Sequence, residues 1–204
     1  MTNDFTRSIP ATAQLFIGLR AALSLLVLCG LLYTWIATFL GGLLFPSQAM
    51  GSLIERDGIV IGSSLVAQPF ESTHYFYSRP SAAGFDPTAT GGSNLAPSNP
   101  ALRDRVREDS VRIQALEGVS PDAIPVDLVS ASGGGLDPHI TPAAAQLQAP
   151  RIANARAMPV TEILAAIKNA TEGPQWGLFG QPRVNVLLLN LALDQQQAST
   201  DQRE

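Results

Sequence analysis

A single cysteine, Cys29, stands in a chain of 204 residues. One cysteine makes neither an internal disulfide nor a zinc cage, so cysteine usage says nothing of the redox compartment. Two histidines, His74 and His139, are too few for a histidine-rich metal site, and no metal is expected on this chain. Lys168 is the one lysine among 13 basic residues, the net charge is −4 and the pI is about 5.1. A basic patch of the kind that holds nucleic acid is missing, so no nucleic-acid partner is expected. Nucleotide and hydrolase signatures are also missing. Walker A needs Gly-Lys-Ser/Thr after its glycines, and no Rossmann fingerprint or Gly-x-Ser-x-Gly elbow is found. Internal repeats are absent. With 46% apolar residues against 17 glycines and 15 prolines, the chain is not of disordered composition.

What is present begins with "AALSLLVLCGLLYTWIATFLGGLLF" at 21–45, a run without a charge. A bilayer core needs about 20 apolar residues, and a signal peptide has a shorter apolar region and a clear cleavage site. A retained single span over 19–45 is expected, after a short N-terminal segment, 1–18. Arg7 and Arg20 precede the charge-free run and Arg56 follows it. That bias places the N-terminus inside and the remainder outside the cytoplasm.

Residues 46–194 are expected to form one mixed α/β (α+β) soluble domain, with 195–204 a polar, frayed tail. "GIVIGSSLVAQPF" (58–70) reads as two strands around a Gly62-Ser63-Ser64 turn, and "THYFYSRP" (73–80) as an aromatic strand. The plainest helix follows Asn99, a good N-cap, with Pro100 in its first turn and Gly118 placed to end it. "IPVDLVSAS" (124–132) reads as a strand or extended segment. Thr141 and Pro142 start a second helix, which Pro150 must kink or split, and a third covers about 160–170. "RVNVLLLNLALD" (183–194) is expected to be a central strand, buried on both faces.

Two glycine loops carry the candidate chemistry. In "TGGSNLAP", successive amides at Gly91 and Gly92 can form an anion nest, with Ser93 and Asn94 adding polar contacts. In "SASGGGLDPHI", a strand, a glycine loop and a helix follow one another as in phosphate cradles, yet Asp137 would repel a phosphate. The plainer reading is a glycine turn feeding a capped helix, with Asp137 and His139 as local hydrogen-bonding groups. Ser132, Asp137 and His139 do not suit a hydrolytic triad, because the last two lie two residues apart at a proline turn. Arg79 is placed to pair with an acid or a phosphate. Gln68, Arg79, Asp137 and His139 are therefore structural or partner-contact candidates.

The blocks "GSSLVAQPF", "YFYSRPSAAGFDPTATGGSNLAPSNP", "IPVDLVSASGGGLDPHITPAAAQLQAPRIANAR" and "GQPRVNVLLLNLALD", in this order behind one span, resemble the C subunit of Kdp, the bacterial potassium-transporting P-type ATPase. The resemblance implies a non-catalytic subunit of the inner membrane. Its partners would be a channel-like A subunit that takes up potassium and an ATP-hydrolysing B subunit. No Asp-Lys-Thr-Gly phosphorylation motif occurs here, as such a role requires. The resemblance leaves two roles open. One is a catalytic chaperone that raises the ATP affinity of the B subunit, for which Gly91, Gly92, Ser93 and Asn94 are the nucleotide-contact candidates and ATP the ligand. The other is an extracytoplasmic cap on the A subunit with no ATP contact.

Overall fold

A computed structural model describes residues 10–201. Arg7 and Asp4 lie outside the described residues. The chain divides into two compact units, Met1–Ser52 and Leu53–Glu204.

The first unit is one apolar helix, α1 (Ala11–Leu44), followed by a single turn, α2 (Pro46–Ala49). At 34 residues, α1 is about 50 Å long, more than a bilayer core requires. It begins upstream of the charge-free run, so Arg20 lies within it, its guanidinium 5.8 Å from the Phe16 ring centre. Its middle, Leu26–Tyr33, is wound as a π-helix. At its end the Thr34 hydroxyl donates to the Cys29 carbonyl, five residues earlier, at 3.3 Å.

The second unit mixes helices with small antiparallel sheets. A hairpin pairs β1 (Leu53–Arg56) with β2 (Ile59–Ser63). Its turn is Asp57-Gly58, both at positive φ, as two-residue hairpin turns require. The expected turn at Gly62 is therefore corrected, because the Asp-Gly pair five residues earlier is the stronger turn signal. Helix α3 (Pro100–Glu117) has the anticipated caps: the Asn99 side chain accepts from the Ala101 amide, and Gly118 is left-handed.

Residues 124–132 form no strand. Two 3-10 turns, Pro121–Ala123 and Val126–Leu128, occupy this region. Prolines at 121 and 125 each open a turn and remove the amide a ladder would need. Strand β3 (His139–Ile140) leads into α4 (Pro142–Arg156), capped by the Thr141 hydroxyl on the Ala144 amide. Helix α4 runs unbroken through Pro150. Packing of its alanine-rich face holds it together where propensity alone would divide it. Helix α5 (Val160–Ala170), β4 (Thr171–Glu172), β5 (Arg183–Asn185) and α6 (Val186–Asp201) complete the unit. The sheet order is β3-β5-β4.

The last segment corrects the expectation of a long strand. Only residues 183–185 are extended, and a helix takes over at Val186 and continues past residue 195, where a frayed tail was expected. The Asn185 side chain accepts from the Leu188 amide at 3.1 Å, an N-cap in the midst of an apolar run. Val186, Leu189, Asn190 and Leu193 are buried at helical spacing. The three apolar ones belong to one core with Ile152, Ile163, Ile167 and Phe76. Each large side chain buried there is worth roughly 1.5–3 kcal/mol.

The aromatic segment 73–80 is not the expected strand: Thr73 and His74 lie in a turn closed by the Tyr75 amide on the Ser72 carbonyl at 3.1 Å, and residues 76–80 run on with no strand beside them among the described residues. Its partners are side chains from helices. The Asn190 carboxamide accepts from the Phe76 amide at 2.8 Å and donates to the Phe76 carbonyl at 3.1 Å. Gln148 does the same for Tyr77, at 2.8 and 3.2 Å. In an extended chain, neighbouring residues point their amides and carbonyls to opposite sides. Thus α6 brackets Phe76 while α4 brackets Tyr77, and two carboxamides stand in for two neighbouring strands. Arg151 and Arg156 add bonds to the carbonyls of Thr73, His74 and Tyr75.

Candidate functional site

The two glycine loops, some 40 residues apart in sequence, are packed against each other. The Gly91 amide donates to the Gly134 carbonyl at 3.1 Å. A Cβ at Gly92 would lie 2.6 Å from the Gly133 carbonyl oxygen, too close for any side chain. Gly135 has φ +75°, and a Cβ there would meet that of Ala83 at 2.6 Å. Ser81 fastens the assembly. Its hydroxyl donates to the Gly135 carbonyl at 2.7 Å and accepts from the Ala83 and Phe85 amides. Glycine at 92 thus serves close approach rather than an unusual backbone angle. The left-handed residue of this loop is Asn94, at φ +49°. Ser93 is half-buried and Asn94 exposed.

Arg79 pairs with an acid, and the acid is Asp137. The Arg79 guanidinium meets the Asp137 carboxylate at 3.0 Å and donates to the Ser130 carbonyl at 3.3 Å. Asp137 also accepts from the His139 amide at 3.0 Å, and the His139 Nδ1 lies 3.4 Å from the same oxygen. The Ser132 hydroxyl is buried and accepts from the Asp137 amide. Nucleophile, base and orienter are therefore not in line: the serine faces a backbone amide, and the histidine faces the aspartate. Gln68 lies elsewhere. Its Nε2 donates to the Ile61 carbonyl at 2.8 Å, tying the hairpin to the following segment.

Arg79, Asp127, Asp137, His139, Thr141 and Arg183 line a small cavity of about 290 Å³. Its charges are balanced. Asp127 accepts from the Thr141 amide and hydroxyl, and Arg183 pairs with Glu172. Among the described residues, no group of three or more His, Cys, Asp or Glu side chains is placed to hold a metal ion. The buried carboxamides Asn190 and Gln148 and the arginines Arg151 and Arg156 are functional in a structural sense that the sequence reading missed. The available signal was polar side chains recurring on otherwise apolar helical faces.

Burial pushes the Asp137 carboxyl up, but hydrogen bonds from the His139 ring and amide and from Arg79 outweigh it, and the group sits below its ordinary value of 3.8. A folded pKa below the unfolded one contributes stability that is complete above the ordinary carboxylate range and is lost as pH falls through the folded value. Stability of the wild type is therefore expected to drop on acidification through that window more steeply than that of Asp137→Asn. Urea midpoints measured against pH check this, and parallel profiles would contradict it.

Comparison with known proteins bears on what this arrangement serves. The family described as "KdpC: K+-transporting ATPase, c chain" matches residues 15–195. A Potassium-transporting ATPase KdpC subunit of Shewanella putrefaciens is 59% identical over 184 residues, covering 90% of this chain and 92% of that protein. Proteins of the same description from Xanthomonas campestris pv. campestris and Methylococcus capsulatus are 54% and 52% identical. The first match covers 85% of this chain and 84% of that protein, and the second 85% and 95%.

Proposed function

The chain belongs to the KdpC family, the c chain of K+-transporting ATPases, and on that premise we propose that it is a non-catalytic accessory subunit of an ATP-driven potassium-uptake complex. In this reading α1 anchors it in the bacterial inner membrane beside a channel-like A subunit and an ATP-hydrolysing B subunit. The N-terminus is cytoplasmic and the second unit extracytoplasmic, as the bias of Arg7 and Arg20 over Arg56 favours. The second unit then works by docking, as a cap on the potassium entrance, and its influence on ATP turnover passes through the membrane subunits as a linkage between sites.

The observation that carries this reading is the locked pair of glycine loops. The Gly91 amide, which an anion nest would turn toward phosphate, is committed to the Gly134 carbonyl. The nearest acid to the second loop, Asp137, is committed to Arg79 and His139. These loops look like phosphate cradles in sequence because glycines are needed for close backbone approach in both settings.

The competing reading, a catalytic chaperone that raises the ATP affinity of the ATP-hydrolysing subunit, would use Ser93 and Asn94, whose side chains leave the locked backbone free. The assembled complex carrying Ser93→Ala and Asn94→Ala together decides between them. Docking without nucleotide contact predicts a KM for ATP within about twofold of wild type, since no hydrogen bond to ATP is removed. A charged-group hydrogen bond to ATP would be worth about 1.5–3 kcal/mol, so a KM raised tenfold or more would support the chaperone instead.

A further inference from the structure

Between β4 and β5 the chain makes a tight apolar tip. Trp176 is 90% exposed, Leu178 80% and Phe179 61%. The stretch 173–182, "GPQWGLFGQP", contains no charge. The flanking charges, Glu172 and Arg183, pair with each other at the base, at 3.0 Å.

This tip is built, not loose. The Gln175 amide donates to the Phe179 carbonyl at 2.8 Å, and the Phe179 amide donates back to the Gln175 carbonyl at 3.0 Å. The Gly177 and Leu178 amides donate to the carbonyls of Pro174 and Gln175. The rings of Trp176 and Phe179 meet edge to face, with centres 6.1 Å apart. Trp176 has φ +54°, a conformation that is costly for a bulky side chain. The local backbone thus holds three large apolar groups outward against both hydration and conformational preference. A group ordered in advance loses little entropy on binding.

We propose that this tip is a second membrane contact, seated in the interfacial region of the bilayer that α1 crosses. Three observations favour a lipid occupant. Tryptophan with a free indole N–H, beside leucine and phenylalanine, suits the boundary between headgroups and acyl chains. A tip with no charge carries no desolvation penalty for ions on entering that boundary. The connector between Leu44, where α1 ends, and Leu53, where β1 begins, reaches at most about 30 Å, so the start of the second unit is tethered within that distance of the end of α1. Tethering of this kind makes a weak contact intramolecular and raises its occupancy.

The proposal rests on α1 being a span, and one pair of variants separates the two. Trp35 and Trp176 are the two tryptophans. The full chain carrying Trp35→Phe leaves Trp176 as sole reporter, and Trp176→Phe leaves Trp35. Each is reconstituted into phosphatidylcholine vesicles, alone and with the partner subunits, the emission of a complex carrying Trp35→Phe and Trp176→Phe together being subtracted in the second case. Emission is then quenched by lipid brominated at a shallow acyl position or by aqueous acrylamide. Trp176 is expected to emit with a blue shift, to lose emission to the shallow bromines and to resist acrylamide, in both preparations. Access to acrylamide without quenching by lipid overturns the proposal. So does shielding from both quenchers on assembly with the partners or at high protein density, which would assign the tip to a protein pocket or to a second copy. If Trp35 is itself not quenched by lipid, the span reading fails and the proposal with it. If Trp35 is quenched and Trp176 is not, the tip alone is at fault.

Discussion

Arg151→Met is expected to destabilise the second unit by about 3–5 kcal/mol, the range for breaking one side of a buried ion pair. Arg151 and Glu117 meet at 2.8 Å with side chains 8% and 3% exposed. The same guanidinium donates to the carbonyls of Thr73 and Tyr75 and to the Gln148 side chain, and lies 4.5 Å from the centre of the Tyr77 ring. Removing it would strand a buried carboxylate and uncover the carbonyls of Thr73 and Tyr75. Burial already pushes the Glu117 carboxyl up against the pull of Arg151, and its Oε2 has no hydrogen-bond partner. Methionine keeps most of the apolar stem, so the cost comes from the charge and the hydrogen bonds. A double variant, Arg151→Met with Glu117→Gln, is expected to recover part of the loss. Urea midpoints of the full chain in detergent measure both. Simple additivity of the two single variants would show that the pair is not the source.

The second large effect is at Asn190, and its sign is diagnostic. Asn190→Leu keeps the branching and heavy-atom count of the side chain and replaces a polar group that is 1% exposed with an apolar one. If Asn190 were only a core filler, this change would stabilise through hydrophobic transfer. In fact its carboxamide carries both the amide and the carbonyl of Phe76, a residue with no exposure at all. Each backbone group left dry and unpaired costs about 1–3 kcal/mol, so a loss of roughly 2–6 kcal/mol is expected. Thermal unfolding of the full chain checks it. An unchanged or raised transition temperature would refute the clamp.

The same clamp explains why the fold was only partly legible in the sequence. Helices with local punctuation were plain: Asn99, Pro100 and Gly118 for α3, and Thr141 with Pro142 for α4. These signals act within a few residues and need no partner. Segment 73–80 reads as a strand because its aromatic residues suit that backbone, yet it opens in a turn and no strand lies against it among the described residues. What it pairs with lies 71 to 114 residues away in sequence, and no local pattern announces that the partner is a carboxamide on a helix.

At 183–194 a run of leucines fits both periods. The deciding residue was Asn185, which caps a helix where the eye sees an uninterrupted strand. The hairpin failed in the other direction, since Asp57-Gly58 was a readable turn that the glycine and serines at 62–64 overshadowed. The candidate loops were each singled out, but their mutual contact was beyond a single sequence. Of the paired charges, Arg79 reads as a partner for an acid or a phosphate, and Asp137 separately as a local hydrogen-bonding group. The fold joins the two.

Sidedness of the second unit is the measurement that tests the proposed role most directly. A chain with Cys29→Ala and Ser199→Cys carries one thiol, at an exposed position on α6 whose hydroxyl donates to the Gln196 carbonyl. Intact cells are treated with a membrane-impermeant maleimide before and after lysis. Labelling in intact cells is the predicted result. It would place the second unit where ATP is scarce and leave docking as its means of action. Labelling that occurs only after lysis would put the unit in the cytoplasm and contradict the extracytoplasmic docking role.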